Sequence, residues 1–344
     1  MPRALPVLFL VSLFLVAALG VASAGAPIRL VAPAGHVEKG MEKQTCFHRK
    51  FPRGKAVDVG HVQIFLHGGS HHVHLYRPAV ANAVYPPHDC PFAVDFSQWQ
   101  LVAATQNANL DWRLHPGVAI QFLPHQPLLI QTHFVNTGFG NASLSVEGNA
   151  RAKMLLHPVR SSSVTAHGGA LFAQDRTVLV PPGLSSLSSD CALTGAAADN
   201  REMTVMALTG HYHFRGIRFE VWRTRADGSP PDLVYLNEGY SDPKFQQYSL
   251  DETVAPVDGG KLVLRPGDGL RWICTWQNDG DQTYKFGPNT QMNEHCNLFG
   301  FYYPTDAPQE GVECIHMSRL PDVNLRCGAD GVACPANPPP AAHL

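Results

Sequence analysis

Short apolar segments separated by turn residues are the feature of this sequence that most restricts its fold. Residues 62–66, 128–135 and 219–222 are rich in β-branched and aromatic side chains, which pack well on a pleated sheet. Asp268-Gly269 and Asp279-Gly280 supply turn chemistry between such segments. No apolar stripe with helical spacing runs for a convincing length. The sequence therefore predicts an all-β fold of two antiparallel, jelly-roll-like β-sandwich domains.

A small, polar, glycine-bearing stretch at 161–169 divides the chain into similar halves. Such a stretch is typical of an interdomain linker. We predict an N-terminal sandwich domain at 27–160 and a C-terminal one at 168–320. From residue 321 to 344 the chain becomes a Cys- and Pro-rich tail.

The N-terminus has the pattern of a secretory signal peptide. Arg3 gives a positive start, residues 5–19 are apolar, and Ala22-Ser23-Ala24 offers small residues for cleavage. We predict a signal peptide at 1–24 and a secreted, periplasmic or secretory-lumen protein, with an uncleaved membrane anchor as the alternative. No later stretch is long and apolar enough to span a bilayer.

Charge and cysteine content narrow the function classes. The formal net charge is -2 with no basic stripe, which argues against a nucleic-acid partner. The eight cysteines of an exported chain favour disulfides over thiolate metal sites, and no Cys-x-x-Cys occurs.

The histidine content is high, at 18 residues, and several histidines cluster with ligand spacing. His211 and His213 are two apart, so on a strand both imidazoles project from one face. His71 and His72 are neighbours and would point to opposite faces unless a bulge intervenes. His72 with His74 is the simpler pair on geometry alone, and the sequence leaves this choice open.

Imidazole-rich sites suit copper or zinc, and copper stands higher in the order of affinities. No His-Glu-x-x-His motif and no Gly-x-Ser-x-Gly elbow occurs, so the sequence gives no support for a zinc protease or a serine hydrolase. The residues favour copper without excluding zinc.

Several motifs, in order and spacing, resemble the copper type II, ascorbate-dependent monooxygenases. His71-His72 with Val73-His74-Leu75-Tyr76 is similar to the double-His strand of that family. Gln131-Thr132-His133-Phe134 resembles its Gln-x-His-Tyr strand, and His211-Tyr212-His213 resembles its His-x-His. Glu294-His295-Cys296, followed by Tyr302-Tyr303, resembles its Glu-Met-Cys segment.

The resemblance implies two copper ions, one on each sandwich, that face a solvent-filled cleft. His71, His72 and His133 would hold the copper that relays electrons from ascorbate. His211, His213 and His295 would hold the copper that binds O2 and hydroxylates a C–H bond of a small organic substrate. It also implies the disulfides Cys46–Cys90, Cys191–Cys314 and Cys274–Cys296, which leaves Cys327 with Cys334.

The chain departs from that family at one ligand. The family carries a Met where His295 stands. A third imidazole donates more strongly to Cu(II) than a thioether does. Met292 is an alternative sulfur ligand, and otherwise we expect it to fill the core.

The substrate motif departs as well. Thr209 stands where peptide-amidating members carry an Arg, and Phe299 replaces a Tyr, whereas Asn297 is retained as a candidate substrate contact. We therefore expect a substrate other than a glycine-extended peptide.

Two further functions remain beside the monooxygenase. The scaffold could serve a non-catalytic, secreted copper-binding protein, which the loss of the Met ligand favours. A zinc hydrolase is the third possibility and has less support.

Overall fold

The computed structural model describes residues 25–67, 70–90, 98–136, 148–192, 202–240, 243–248, 261–305 and 311–316, together with the backbone of 326–327 and 332–333. The predicted signal peptide lies outside the described residues. Most of the predicted tail also lies outside them, including Cys334 and therefore its expected pairing with Cys327.

The first ten strands form a sandwich of two sheets, called here the first sandwich. The strands are β1 (Ile28–Val37), β2 (Glu42–Lys50), β3 (Val57–Leu66), β4 (Ser70–Pro78), β5 (Trp99–Thr105), β6 (Asn109–Arg113), β7 (Val118–Phe122), β8 (Pro127–Val135), β9 (Gly148–Val159) and β10 (Ala166–His167). One sheet has the order β1-β9-β3-β7-β10 with β6 paired to β3, and the other has the order β2-β8-β4-β5.

The remaining strands form the second sandwich and a small side sheet. They are β11 (Gly169–Asp175), β12 (Leu179–Val180), β13 (Gly183–Ala192), β14 (Met203–His211), β15 (Gly216–Thr224), β16 (Asp232–Glu238), β17 (Gln246–Gln247), β18 (Leu262–Leu264), β19 (Gly269–Asn278), β20 (Tyr284–Phe286), β21 (Asn293–Glu294), β22 (Asn297–Tyr303), β23 (Val312–His316), β24 (Arg326–Cys327) and β25 (Val332–Ala333). The large sheet runs β17-β14-β22-β11-β23-β24-β25 with β18 on β14, and it faces the sheet β13-β19-β15-β16. The side sheet is β12-β20-β21.

Burial along the strands follows from their place in the layers. β19 alternates buried and half-buried residues, as expected for a strand with one face on a core. β8 and β14 are buried almost throughout. These two strands have one face on their own core and the other covered by neighbouring structure.

The predicted fold class is confirmed, because the described residues form antiparallel sandwiches and contain no α-helix. The predicted linker at 161–169 holds a 3₁₀ turn (Ser161–Ser163) and then β10. β10 pairs with β7, so this stretch is attached to the first sandwich. The boundaries of two independent domains stay a prediction.

Among the described residues, no helix is long and apolar enough to cross a membrane.

Three disulfides lie in the described part of the chain. They join Cys46 to Cys90, Cys191 to Cys314 and Cys274 to Cys296, the same pairs that the resemblance implied. Cys274 lies in β19 and Cys296 just before β22, so this bond ties the two facing sheets of the second sandwich together.

One hydrophobic core extends from the first sandwich into the second. Its members from the second half include Phe172, Met206, Phe299 and Phe301. The rings of Trp112 and Phe301 lie 4.4 Å apart across this contact. The two sandwiches are therefore packed directly on each other through apolar side chains.

Candidate metal centres

A β-bulge brings His71 and His72 to one side of β4. Across the pair β4–β8, Ser70 lies opposite Phe134 and His72 lies opposite His133, so His71 is the extra residue of the bulge. The rings of His71 and His72 are 5.3 Å apart and both are buried. The bulge lets the adjacent histidines share one space, and the choice of ligand pair stays a prediction.

His133 lies beside this pair and is held by a carboxylate. Its ring centroid is 5.3 Å from that of His71 and 5.0 Å from that of His72. Its Nε2 is 2.9 Å from Oε2 of Glu42 in β2. A carboxylate on one ring nitrogen fixes the tautomer and leaves Nδ1 as the possible ligand atom.

His74 also belongs to this group of rings. It stacks on His72 at 4.4 Å, and its Nδ1 is 3.0 Å from the hydroxyl of Tyr76 and 3.4 Å from Oε1 of Gln131. Burial lowers the pKa of His74 to about 4, so the ring is neutral at pH 7.

His211 and His213 lie at the end of β14 and just beyond it. Nδ1 of His213 is 2.9 Å from the carbonyl oxygen of Asn293 in β21. Nδ1 of His211 is 2.7 Å from Oε1 of Gln106, a residue of the first sandwich. Each ring therefore has its Nδ1 engaged and its Nε2 left for a ligand bond.

His295 completes this second group, whereas Met292 does not join it. The ring of His295 lies 4.3 Å from that of His213 and 5.1 Å from that of His211. The side chain of Met292 is 57% exposed. The expectation that Met292 fills the core is therefore wrong.

Two trios of imidazoles in the described residues bring their nitrogen atoms within 4.8 Å of one another. One is His211, His213 and His295, which the sequence expected. The other is His71, His72 and His211, in which His211 stands where the sequence expected His133.

Unpartnered nitrogens support a metal-binding role for these residues. Nε2 of His71, Nδ1 of His72 and Nδ1 of His295 are buried and have no hydrogen-bond partner. A buried polar atom without a partner costs about 1–3 kcal/mol, so several in one place call for an explanation. A bound ion would supply the missing contacts.

The imidazoles are neutral, which is the form that binds metal. Burial lowers the pKa of His71, His72, His211 and His295 well below the usual range, and neighbouring rings lower it further. Burial also lowers the pKa of His213 to about 4. A donor set made only of neutral imidazoles fits copper and zinc among the biological metals.

A buried carboxylate lies beneath the second trio. Glu294 is fully buried, and its oxygens accept from the backbone amides of His213 and Arg215 and from the indole of Trp276. Burial raises the pKa of Glu294 to about 7. Its oxygens are committed to these donors, so it positions the loop of His213.

The residues of the predicted substrate motif lie beside the trios. Asn297 lies opposite His211 in the pair β14–β22, and its Oδ1 is buried without a partner. Thr209 lies opposite Phe299 in the same pair, and both are buried.

Sequence reasoning missed Gln106 and Glu42. Each is an ordinary polar residue outside any motif, and its partner histidine lies 105 or 91 positions away in the chain. No local pattern marks such residues, because only the folded chain brings them to the rings.

The resemblance implied a solvent-filled cleft between two separate ligand sets. In the structure the two sets are in contact. The rings of His71 and His72 lie 5.8 Å and 5.5 Å from that of His211, and all three are buried. The packing of Phe299 and Phe301 into the core of the first sandwich holds the two sets this close.

Comparison with known proteins identifies part of the chain. Residues 171–320 match the family model of the copper type II ascorbate-dependent monooxygenase, C-terminal domain. No curated protein matches the sequence.

Among solved structures, the crystal structure of PBCV-1 VP54 fitted into a reconstruction of the virophage Sputnik aligns with 8% identity and a TM-score of 0.28. That alignment covers 82% of this chain and 95% of the other. A variant of oxalate decarboxylase from Bacillus subtilis aligns with 8% identity and a TM-score of 0.12, over 78% of this chain and 80% of the other. At these TM-scores the alignments establish neither a shared fold nor a shared function.

Proposed function

We propose that this chain, whose residues 171–320 belong to the copper type II ascorbate-dependent monooxygenase family, is an exported dicopper monooxygenase. It would hydroxylate a C–H bond of a small organic substrate with O2 and a reductant such as ascorbate. The observation that carries the proposal is the pair of buried imidazole trios with unpartnered nitrogens.

The ligand assignment follows the resemblance. The nitrogen positions support it for His211, His213 and His295, whereas at the first site they bring His211 rather than His133 to His71 and His72. His71, His72 and His133 would hold the electron-relay copper, and His211, His213 and His295 the copper of the dioxygen site. Copper bound there supplies one-electron transfer and activation of O2. Monooxygenation of one C–H bond takes two electrons and two protons, which a reductant such as ascorbate can supply. One atom of O2 enters the product as a hydroxyl group, and the other leaves as water.

The residues of the chain would orient the ligands and exclude water. Gln106, Glu42 and the carbonyl of Asn293 each engage one nitrogen of a ligand ring, which fixes its tautomer. Burial of the rings keeps bulk water from the reacting atoms.

Substrate recognition would use Asn297. Its unpartnered Oδ1 lies next to the second trio and can accept a hydrogen bond from a substrate N–H or O–H group. Thr209 and Phe299 provide no cation for a carboxylate at this place. We therefore expect no turnover of a glycine-extended peptide, and amidation of such a peptide would contradict this part of the proposal.

Export is supported by three disulfides in the described residues, since such bonds persist in oxidising compartments. The match of residues 171–320 to an oxygen-dependent family agrees with an oxygenated compartment.

A second candidate function is a non-catalytic, secreted copper-binding protein. It is favoured by His295, because an all-imidazole trio holds Cu(II) more tightly than a site with a thioether does. A zinc hydrolase is a weaker candidate, because the carboxylate of Glu294 is occupied by backbone and indole donors.

Oxygen uptake separates these functions. The purified protein would be loaded with copper and given ascorbate and a panel of small organic substrates. The monooxygenase predicts substrate-dependent oxygen consumption that is lost in His213→Ala. Stoichiometric copper binding without such uptake would assign the chain to the binding function, and activity under nitrogen without a reductant would assign it to the hydrolase.

A further inference from the structure

A pocket open to solvent lies at one side of the first sandwich, between the edge strands of its two sheets. Its volume is about 600 Å³, and β1 and β2 supply most of its walls. None of the ten residues that line it is acidic, whereas five carry a basic side chain. These five are His36, Lys43, His48, Arg49 and His88. A pocket of this size and charge fits a small organic anion.

Arg49 and Lys43 are the permanent cations of this pocket. Arg49 lies 5.8 Å from the ring centre of Phe47 and donates to the carbonyl oxygen of His48 at 2.8 Å. Lys43 lies 3.8 Å from Asp89, whose side chain is 75% exposed. An exposed ion pair of this kind contributes little to stability, so an anion in the pocket can compete for Lys43.

His88 is fixed at the pocket through contacts with β2. Its Nδ1 donates to the carbonyl oxygen of Cys46 at 3.1 Å, and its own carbonyl oxygen accepts from the amide of Cys46 at 2.7 Å. Its ring packs on Phe47 at 5.1 Å, and the disulfide between Cys46 and Cys90 holds the same segment. Because Nδ1 carries the proton of the neutral ring, Nε2 is an acceptor. The pocket therefore offers cations for an anionic oxygen and an acceptor for a hydroxyl group.

The pocket is directly connected to the strand that carries His133. Glu42, which precedes Lys43 in β2, lies 2.9 Å from Nε2 of His133. Phe134 follows His133 in β8 and lies opposite Lys43. A Cβ on Gly35, in the wall of the pocket, would lie 2.9 Å from the ring of Phe134. An electron that leaves a molecule in the pocket thus has short paths to His133 through bonded and closely packed atoms.

We propose that this pocket binds the reductant of the monooxygenase, a small hydroxylated organic anion such as ascorbate, and that Lys43, Arg49 and His88 are its contacts. This rests on the proposed function, since it assigns an electron donor to the copper that His133 would help to hold. In each encounter the donor would lose one electron and one proton. The electron would reduce Cu(II) to Cu(I), and the proton would pass to water. Two such encounters supply the electrons of one turnover.

Binding is tested first on the metal-free full chain, where copper plays no part. Ascorbate is titrated under nitrogen, and saturation-transfer NMR gives its dissociation constant. We expect Arg49→Gln and Lys43→Gln each to weaken binding about tenfold, because each removes a charge-assisted contact. Lys50→Gln is the control, since it removes a cation from the same strand outside the pocket.

Three outcomes of this titration would overturn the proposal. The first is a wild-type chain that does not bind ascorbate, and the second is an equal affinity in the pocket variants and in Lys50→Gln. The third is displacement of ascorbate by an equal concentration of sulfate, which would identify a general anion site.

Reduction of the copper-loaded protein tests the role of the bound anion. Rapid-freeze EPR follows the loss of the Cu(II) signal with ascorbate and with hydroquinone, a neutral reductant. We expect Arg49→Gln to raise about tenfold the ascorbate concentration that gives half the maximal rate, and to leave the rate with hydroquinone unchanged. An equal effect on both reductants, or none on either, would overturn the pocket as the donor site and leave the proposed function intact. A protein that binds no copper would overturn the proposed function together with this role of the pocket.

Discussion

A metal-binding imidazole needs one ring nitrogen free and the other held by a neighbour. In this protein the holding groups differ from ring to ring: an amide of Gln106, a carboxylate of Glu42 and a main-chain carbonyl of Asn293. Such partners set the orientation and basicity of the ligands they touch. The affinity for copper should therefore depend on residues that never touch the ion.

Replacing Gln106 by Leu keeps the size of the side chain and removes its hydrogen bonds to His211 and Gly210. We expect copper affinity to fall by about 10–100-fold, the usual effect of losing such a partner. Competition with a chelator of known affinity measures it. Gln277→Leu is the control, because that side chain bonds the exposed Asp279. Equal affinities in the two variants would show that Gln106 does not position His211.

Gly210 precedes His211 and leaves no room for a side chain. A Cβ at this position would lie 2.5 Å from the ring of Phe219, which is fully buried. We expect Gly210→Ala to lower the free energy of unfolding by about 1–3 kcal/mol through overpacking. Thermal denaturation without metal measures it. Gly54→Ala is the control, since its Cβ would meet only His125 at 3.4 Å, and an equal loss there would refute the steric argument.

At the scale of elements, the sequence predicted the strands better than it predicted the pairing and the contacts between strands. The β-branched and aromatic runs of β3, β8 and β15 were identifiable from composition and turns. The bulge at His71 could be named only as one alternative, because a register shift depends on how β4 meets β8 and leaves no mark within β4 itself. The same limit hid the contacts of Gln106 and Glu42, whose partners lie on other strands.

The bond between Cys274 and Cys296 anchors the segment that carries His295. It joins β19 to the residue next to His295 and closes a loop with a sequence separation of 22. Replacing both cysteines by Ala should cost about 3 kcal/mol, as the unfolded chain gains freedom. It should also weaken copper binding, because His295 loses its anchor.

The matched comparison for this variant removes Cys46 and Cys90 instead. That pair joins β2 to residue 90 and has no bond to the segment of His295. Calorimetry should show a loss of stability in both variants, since both lose a loop constraint. Copper titration should show a change at the His211–His213–His295 trio in the first alone. An unchanged trio in the first variant would mean that the loop holds His295 without the disulfide.

At the scale of the whole molecule, the two sandwiches share a core and should unfold together. Trp112 is almost fully buried against Phe245 and Phe301 of the other sandwich. We expect one calorimetric transition for the wild type. Trp112→Ala, which costs about 3–5 kcal/mol in buried aromatic packing, should split it into two.

Trp272→Phe separates this effect from a general loss of stability. Trp272 lies in β19 within the second sandwich, and its indole donates to the carbonyl of Cys296. Trp272→Phe should have a lower Tm and should still unfold in a single calorimetric transition. A single calorimetric transition in Trp112→Ala as well would show that the two sandwiches unfold together without the Trp112 ring.

Because His211 belongs to both trios, any metal binding there would depend on the docking of the two sandwiches. The trio of His71, His72 and His211 does not exist until the two halves of the chain have met, because His211 lies in the second half. On the proposed function, a metal ion that needs this trio would bind only after the two sandwiches have docked. Metal content would then report whether the two sandwiches have docked. A protein with undocked sandwiches would lack metal at this trio even with copper in excess.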